Sequence, residues 1–158
     1  MTTIDYLITI SMCLAPVFEL RGGLPFALSQ GMQPAGAFFL CIAANLLVVP
    51  ILLYGLSWGE RIARRWGPMN RLLDAVLTRT LRKGKWVDRL GSIGLLLLVA
   101  IPLPGTGAWT GSLVAVALGI PKRRALLLIT LGVLIAGTLV LLAGLSVIHL
   151  FGGEAGTP

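Results

Sequence analysis

Two long runs without a charged residue constrain the fold of this chain most strongly. Ala35–Leu56 and Ala125–Leu150 contain no Asp, Glu, Lys or Arg. At about 1.5 Å of rise per residue, the shorter run makes a helix of about 33 Å, which crosses a hydrocarbon core of roughly 30 Å. Of the 158 residues, 56% are hydrophobic and only 12% are charged, unlike a soluble domain. We therefore predict an all-α integral membrane protein with a single membrane domain over residues 1–158.

The basic residues behind the net charge of +7 are confined to a few places. Nine of the thirteen Lys and Arg lie between Arg61 and Arg89, and three form Lys122-Arg123-Arg124. Such clusters beside apolar runs are typical of cytoplasmic loops, and their expected partner is membrane lipid with anionic head groups, not nucleic acid. Residues 58–90 are amphipathic as well as basic, which predicts an interfacial helical linker on the cytoplasmic leaflet.

The other two apolar stretches are interrupted. Ser92–Ile120 is too long for one span, and Pro102, Pro104, Gly105 and Gly107 lie at its centre. If it crossed the membrane, the cluster at 122–124 would lie opposite the main basic cluster, against the positive-inside bias. The pattern therefore predicts a reentrant helical hairpin. The segment 26–34 carries no charge, so by the same bias it is expected to be external. Residues 4–30 should therefore enter and leave the membrane from its outer face.

A sequence offset of 88 relates the two halves of the chain. Three residues that precede the first full span recur before the second, as Pro16/Pro104, Gly23/Gly111 and Gly31/Gly119. We predict an inverted repeat of a reentrant hairpin plus a transmembrane helix, with repeat 1 at about 4–57 and repeat 2 at about 91–151. Inverted repeats place broken helix ends near the membrane midplane, so the hairpin tips should meet there. A chain with so few spans also favours a homo-oligomer.

Glu19 and Arg21 are the candidate functional charges. Glu19 is the only carboxylate inside a predicted membrane segment. Burial disfavours its ionised form while Arg21 favours it, so Glu19 is a candidate proton-coupling residue; the alternative is a static ion pair that fastens the hairpin. Residues 22–25, Gly-Gly-Leu-Pro, are expected to break the helix. Exposed N–H groups of Gly22 and Gly23 would then join Arg21 in binding a phosphate or carboxylate.

The second hairpin offers a matching polar turn at residues 105–111. Thr106 and Thr110 supply hydroxyls, Gly107 allows close backbone approach, and Trp109 could line a cavity. The equally weighted alternative is that the small residues only let the hairpin tips pack. Asn45, near the middle of its span, could bind the hairpins or join neighbouring helices.

Other kinds of site have no signature in the sequence. It contains no metal cluster, nucleotide loop or nucleophilic triad, so we expect neither an enzyme nor a cofactor or metal requirement. Cys13 and Cys41 have no metal or redox spacing and are predicted to be small buried hydrophobes.

Two motifs carry a resemblance to a known family. They read ELRGGLP at 19–25 and IPLPGTGAWTGSLVAVALG at 101–119. In them the chain resembles the bacterial and archaeal family of putative small multidrug export proteins, which is similar in turn to the DedA, or VTT, superfamily with two opposed reentrant loops. The resemblance implies a multi-pass protein of the inner (cytoplasmic) membrane and, through DedA, proton-dependent movement of lipids such as undecaprenyl phosphate. The chain lacks the second membrane acid and the basic second hairpin of the DedA pattern.

Three functions follow as hypotheses. The first is a DedA-like, proton-coupled transporter or flippase of an anionic amphiphile such as a phosphate lipid, with Arg21 at the head group and Glu19 coupling to protons. The second is a proton-coupled small multidrug exporter in which Glu19 binds a cationic drug or a proton. Arg21 disfavours this second hypothesis because it repels cations from Glu19. The third is a membrane scaffold without a transported substrate.

Overall fold

The computed structural model describes residues 2–63, 91–103 and 105–152. Within these ranges the chain forms helices and no strand: α1 Thr3–Leu14, α2 Glu19–Ser29, α3 Pro34–Ala63, α4 Ser92–Ala100, α5 Ala108–Ala117 and α6 Lys122–Gly152. The predicted all-α class is confirmed. The interfacial helix predicted within the linker 58–90 falls largely on residues 64–90, which lie outside the described residues. We call α1–α3 the first half and α4–α6 the second half.

The long helices α3 and α6 match the two predicted spans. By length and apolar composition, Pro34–Gly55 of α3 and Lys122–Ile148 of α6 could each cross a membrane. The two helices contact each other. Large apolar side chains such as Phe39 and Leu127 remain exposed on them, as expected for surfaces that face lipid.

Two short helices precede the long helix in each half, and a proline ends the first of each pair. Ala15 is extended before Pro16, and Ile101 is extended before Pro102, because the ring of a proline disfavours the helical conformation in the preceding residue. Each short helix has 9 to 12 residues, which at about 1.5 Å per residue is about half of a hydrocarbon core. The predicted break at the centre of 92–120 is confirmed.

The break in the first half lies elsewhere than predicted. Gly22-Gly23-Leu24-Pro25 was expected to interrupt the helix, but α2 runs through all four residues and the interruption is at 15–18. The glycines serve packing: a Cβ on Gly23 would overlap Cys13 Sγ and lie 3.2 Å from the carbonyl oxygen of Thr9 in α1. Close packing of α1 on α2 therefore overrides the low helix propensity of this segment.

Local structure repeats at the offset of 88. The turns that end α2 and α5 make the same backbone hydrogen bonds. After α2, the N–H groups of Gln30, Gly31 and Met32 donate to the carbonyl oxygens of Phe26, Leu28 and Ala27, respectively. After α5, the N–H groups of Leu118, Gly119 and Ile120 donate to the carbonyl oxygens of Val114, Val116 and Ala115. Gly31 and Gly119 have φ of 79° and 65°, the left-handed conformation that glycine favours at helix ends. The reentrant course of the hairpins and the inversion of the repeats remain predictions.

Helix α1 is held against α3 as well as α2. Cys13 of α1 and Cys41 of α3 are fully buried, as predicted, and α1 contacts α3. Across the halves, α5 contacts α3 and α2 contacts α6. These contacts bring the start of α2 and the start of α5 together in the interior.

Candidate functional site

Glu19 begins α2 and reaches into the second half. Its side chain is 6% exposed, and its carboxylate oxygen Oε1 accepts a hydrogen bond from the Trp109 backbone N–H at 3.1 Å. Trp109 lies in the first turn of α5, where N–H groups lack helical partners and the helix dipole favours a negative charge. Gly107, the residue before α5, provides no side-chain cap. Glu19 therefore caps a helix of the other half.

The backbone at both contact points is unusual. Glu19 has φ of 47°, the only positive value at a non-glycine residue in the described ranges. Gly107 has φ of 141° and ψ of −159°, a conformation almost restricted to glycine, and a Cβ there would overlap the Glu19 carboxylate. The two positions are separated by the offset of 88. Glycine at 107 therefore makes room for the Glu19 carboxylate.

Arg21 binds the same loop. Its Nη2 donates to the carbonyl oxygen of Thr106 and, at 3.0 Å, to the Thr106 hydroxyl. Among the described residues no direct ion pair within 4.0 Å joins Glu19 to Arg21, so the static ion pair considered from the sequence is not formed. The indole Nε1 of Trp109 donates to the Leu14 carbonyl oxygen at 3.1 Å, a further bond between the halves. The start of α2 and the loop before α5 thus contact each other; that they are the tips of reentrant hairpins remains a prediction.

A small cavity lies where the halves meet, and we call it the junction cavity. Its volume is about 10 Å³, and its polar walls are Glu19, Arg21 and Asn45. The rest of its lining is Leu20, Val99, Gly107, Ala108, Val133 and Ala136. Asn45 is 2% exposed, and its Oδ1 is buried without a hydrogen-bond partner. A space of this size holds about one water molecule.

The other predicted site residues face elsewhere. Thr110 donates its hydroxyl to the Gly105 carbonyl oxygen within its own loop. Gly22 donates its N–H to the Phe18 carbonyl oxygen, and Gly23 faces α1. The substrate-binding roles of all the predicted residues remain predictions. Sequence reasoning missed the wall residue Val133, although the offset of 88 from Asn45 pointed to it.

A second opening, which we call the groove, lies beside the junction cavity. It has a volume of about 460 Å³ and is lined from α2 by Arg21, Pro25 and Leu28, from the second hairpin by Pro102, and from α6 by residues that include Leu139 and Val147. Among the described lining residues Arg21 is the only charged one, and the exposed lining surface is mainly apolar. Arg21 thus borders both the groove and the junction cavity. Within the described ranges, no three His, Cys, Asp or Glu side chains cluster as a metal site would require.

Comparison with known proteins identifies the family. The model of the family described as "Putative small multi-drug export protein" matches residues 19–139, which include Glu19, Arg21, Asn45, Thr106 and Trp109. No curated protein and no solved structure matches the chain. The two helices that are long and apolar enough to cross a membrane agree with this family description. Since the match covers most of the 158 residues, the chain belongs to the family of putative small multi-drug export proteins.

Proposed function

We propose that this protein is a membrane transporter that moves an anionic amphiphile, such as a phosphate lipid, in a cycle coupled to protons. The position of Arg21 is the observation that carries the proposal, because Arg21 lines a mainly apolar groove. A guanidinium suits a phosphate or carboxylate head group, and apolar walls suit an acyl chain. The groove volume of about 460 Å³ lies within the range of roughly 300–1,000 Å³ that is usual for ligand pockets.

Glu19 supplies the coupling to protons in this proposal. As a carboxylate it accepts the Trp109 N–H at the start of α5. Protonation removes the negative charge that this helix end favours and weakens the link between the halves. Proton uptake would thus loosen the hairpin junction and open a path past Arg21. Reentrant hairpins in an inverted repeat would let the junction open alternately to the two sides of the membrane.

The cellular setting is also part of the proposal. The protein would lie in the inner (cytoplasmic) membrane with its basic loops in the cytoplasm, as a homo-oligomer. It would work as a transporter and not as an enzyme, with lipid, protons and the transported amphiphile as its partners. It would need no cofactor.

Export of small cationic drugs is the second candidate, and the family description favours it. Glu19 would then bind the cation or the proton that is exchanged for it. Arg21 lies close enough to interact electrostatically with Glu19, which weakens the attraction of that carboxylate for a cation. Removal of the charge of Arg21 should therefore lower transport if the substrate is an anionic amphiphile, but preserve or raise it if the substrate is a cationic drug.

The test is a series at Arg21 in proteoliposomes, with lipid flipping and dye efflux measured on the same preparations. Arg21→Lys keeps the charge but loses the planar fork, so lipid flipping should fall partly, and Arg21→Gln should lower it much further. Arg123→Gln, an exposed cation at the start of α6, is the matched control and should leave flipping unchanged. Dye efflux that survives or improves in Arg21→Gln, with no lipid flipping by the unmodified protein, would refute the anionic-amphiphile proposal and favour the drug exporter.

Glu19→Gln tests the coupling separately. The amide keeps the shape of the side chain but cannot titrate, so the protein should fold and its transport should lose its dependence on pH. Transport by Glu19→Gln with unchanged pH dependence would remove Glu19 from the coupling mechanism.

A further inference from the structure

Asn45 has a buried acceptor that nothing in the fold satisfies. It lies inside α3 at 2% exposure, and its Oδ1 has no hydrogen-bond partner. Buried polar atoms are nearly always paired, because an unpaired one loses its bonds to water without replacement. Asn45 lines the junction cavity, so this cavity is where a donor for Oδ1 is to be sought.

The lining of the junction cavity leaves few candidate donors. Among the described residues of its lining, Glu19 and Arg21, both on α2, are the only charged or titratable side chains, and the lining residues from the second half are apolar or glycine. Arg21 directs its Nη2 to Thr106. An ionised Glu19 only accepts hydrogen bonds, so it cannot satisfy Oδ1, whereas a protonated Glu19 has an O–H to donate.

We propose that Asn45 is the hydrogen-bond acceptor of proton-loaded Glu19. In the ionised state the carboxylate caps α5 through the Trp109 N–H; in the neutral state its O–H donates toward Asn45 Oδ1 across the junction cavity, which has room for about one bridging water. Asn45 is thus a positioning residue that favours the loaded state. The inference rests on the proposed role of Glu19 as the proton carrier, and it names one group that raises the pH at which Glu19 is protonated.

The test is an infrared titration of the full-length protein in lipid. The C=O band of neutral Glu19 is isolated by subtracting the spectrum of Glu19→Gln, which removes the contributions of the other five acidic residues. The variant Asn45→Leu replaces asparagine with a residue of similar volume that has no hydrogen-bond acceptor. Since the acceptor stabilises only the neutral form, its loss should shift the protonation midpoint of Glu19 to lower pH, by about one unit for one hydrogen bond. Thr9→Val, at a buried hydroxyl that bonds within α1, is the matched control and should not move the midpoint.

Unfolding measured at two pH values distinguishes this role from simple packing. Above the midpoint, Asn45→Leu removes an unpaired acceptor and should leave the protein equally or more stable. Below the midpoint, it removes a formed hydrogen bond and should destabilise the protein. A purely structural asparagine would show the same change in stability at both pH values.

Two results would overturn the inference. One is an unchanged midpoint in a folded Asn45→Leu variant. The other needs no Asn45 variant: a neutral Glu19 band, isolated in the unmodified protein by subtracting the spectrum of Glu19→Gln, at the frequency of a carboxyl group without a hydrogen bond, which decides the matter even if Asn45→Leu fails to fold. If Asn45→Leu shifts the protonation midpoint of Glu19 but the unmodified protein transports nothing, the proposed function is refuted and this inference stands. If transport is coupled to protons but the midpoint is unchanged in Asn45→Leu, this inference is refuted and the proposed function stands.

Discussion

Gly107→Ala should disable the contact between the two halves, and its cost can be estimated from two separate effects. The backbone at 107, with φ of 141° and ψ of −159°, would cost an alanine about 1–3 kcal/mol. The new methyl group would also overlap the Glu19 carboxylate. Displacing that carboxylate from the Trp109 N–H removes a charge-assisted hydrogen bond worth about 1.5–3 kcal/mol. Together these effects predict a loss of roughly 2.5–6 kcal/mol, a large share of the stability of a typical domain.

A control and a background variant separate the two effects. Gly119→Ala also forces an alanine into a positive φ, but no atom lies within 4 Å of the new methyl group, so it should cost only about 1–2 kcal/mol. In a Glu19→Ala background, Gly107→Ala should cost about 1.5–3 kcal/mol less than in the unmodified protein, because the displaced carboxylate is absent.

The assay is reversible unfolding in lipid–detergent micelles of the unmodified protein, Gly107→Ala, Glu19→Ala and the double variant. The slope of the unfolding free energy against denaturant concentration should be the same for all four proteins. The coupling free energy between positions 19 and 107 is the quantity to be measured. If Gly107→Ala costs the same with and without the Glu19 carboxylate, Glu19 does not occupy the space next to Gly107, and its proposed capping of α5 is wrong.

Two further predictions concern topology and helix packing. Single cysteines at positions 87 and 122 should both be labelled from the cytoplasmic side, and opposite labelling would mean that 92–120 crosses the membrane and the repeat is not inverted. Gly23→Ala should destabilise the α1–α2 contact and be partly rescued by Cys13→Ala, which removes the overlapping sulfur; thermal unfolding measures both. The control is Gly36→Ala in α3, where the new methyl group would meet only Met32 Cε at 3.9 Å, an ordinary contact, so the change should stabilise the protein by up to about 1 kcal/mol. Equal destabilisation with and without the Cys13 sulfur would contradict the packing assigned to Gly23.

The sequence predicted those parts of the fold that depend on hydropathy and on proline. The two long helices follow from charge-free runs, and α4 ends where Pro102 requires it to end. The misplaced break at Gly22–Pro25 shows where such reasoning fails. Helix propensity is a local property, whereas the continuity of α2 depends on contacts with α1 that are invisible until the two helices are packed together.

Part of the candidate site was also predictable. An acid in an apolar segment identifies Glu19, and the expected meeting of the hairpin tips anticipates its neighbours Thr106 and Trp109. The absence of a direct bond between Glu19 and Arg21 was not foreseeable from two residues so close in sequence. It depends on the positive φ of Glu19 and on the glycine at 107, which are features of the assembled halves.

The polar side chains that line the junction cavity all belong to the first half. Three pairs of its lining residues are separated by the offset of 88: Glu19 and Gly107, Leu20 and Ala108, and Asn45 and Val133. In the two pairs that contain a polar side chain, that side chain belongs to the first half, and the second half supplies a glycine or a valine. A repeated sequence that kept its acid in both copies would place two carboxylates against each other, which disfavours ionising both. With glycine at 107 instead of a second acid, the described lining holds one carboxylate, space for it and a helix N-terminus that binds it; the proton coupling proposed for Glu19 would use this single carboxylate.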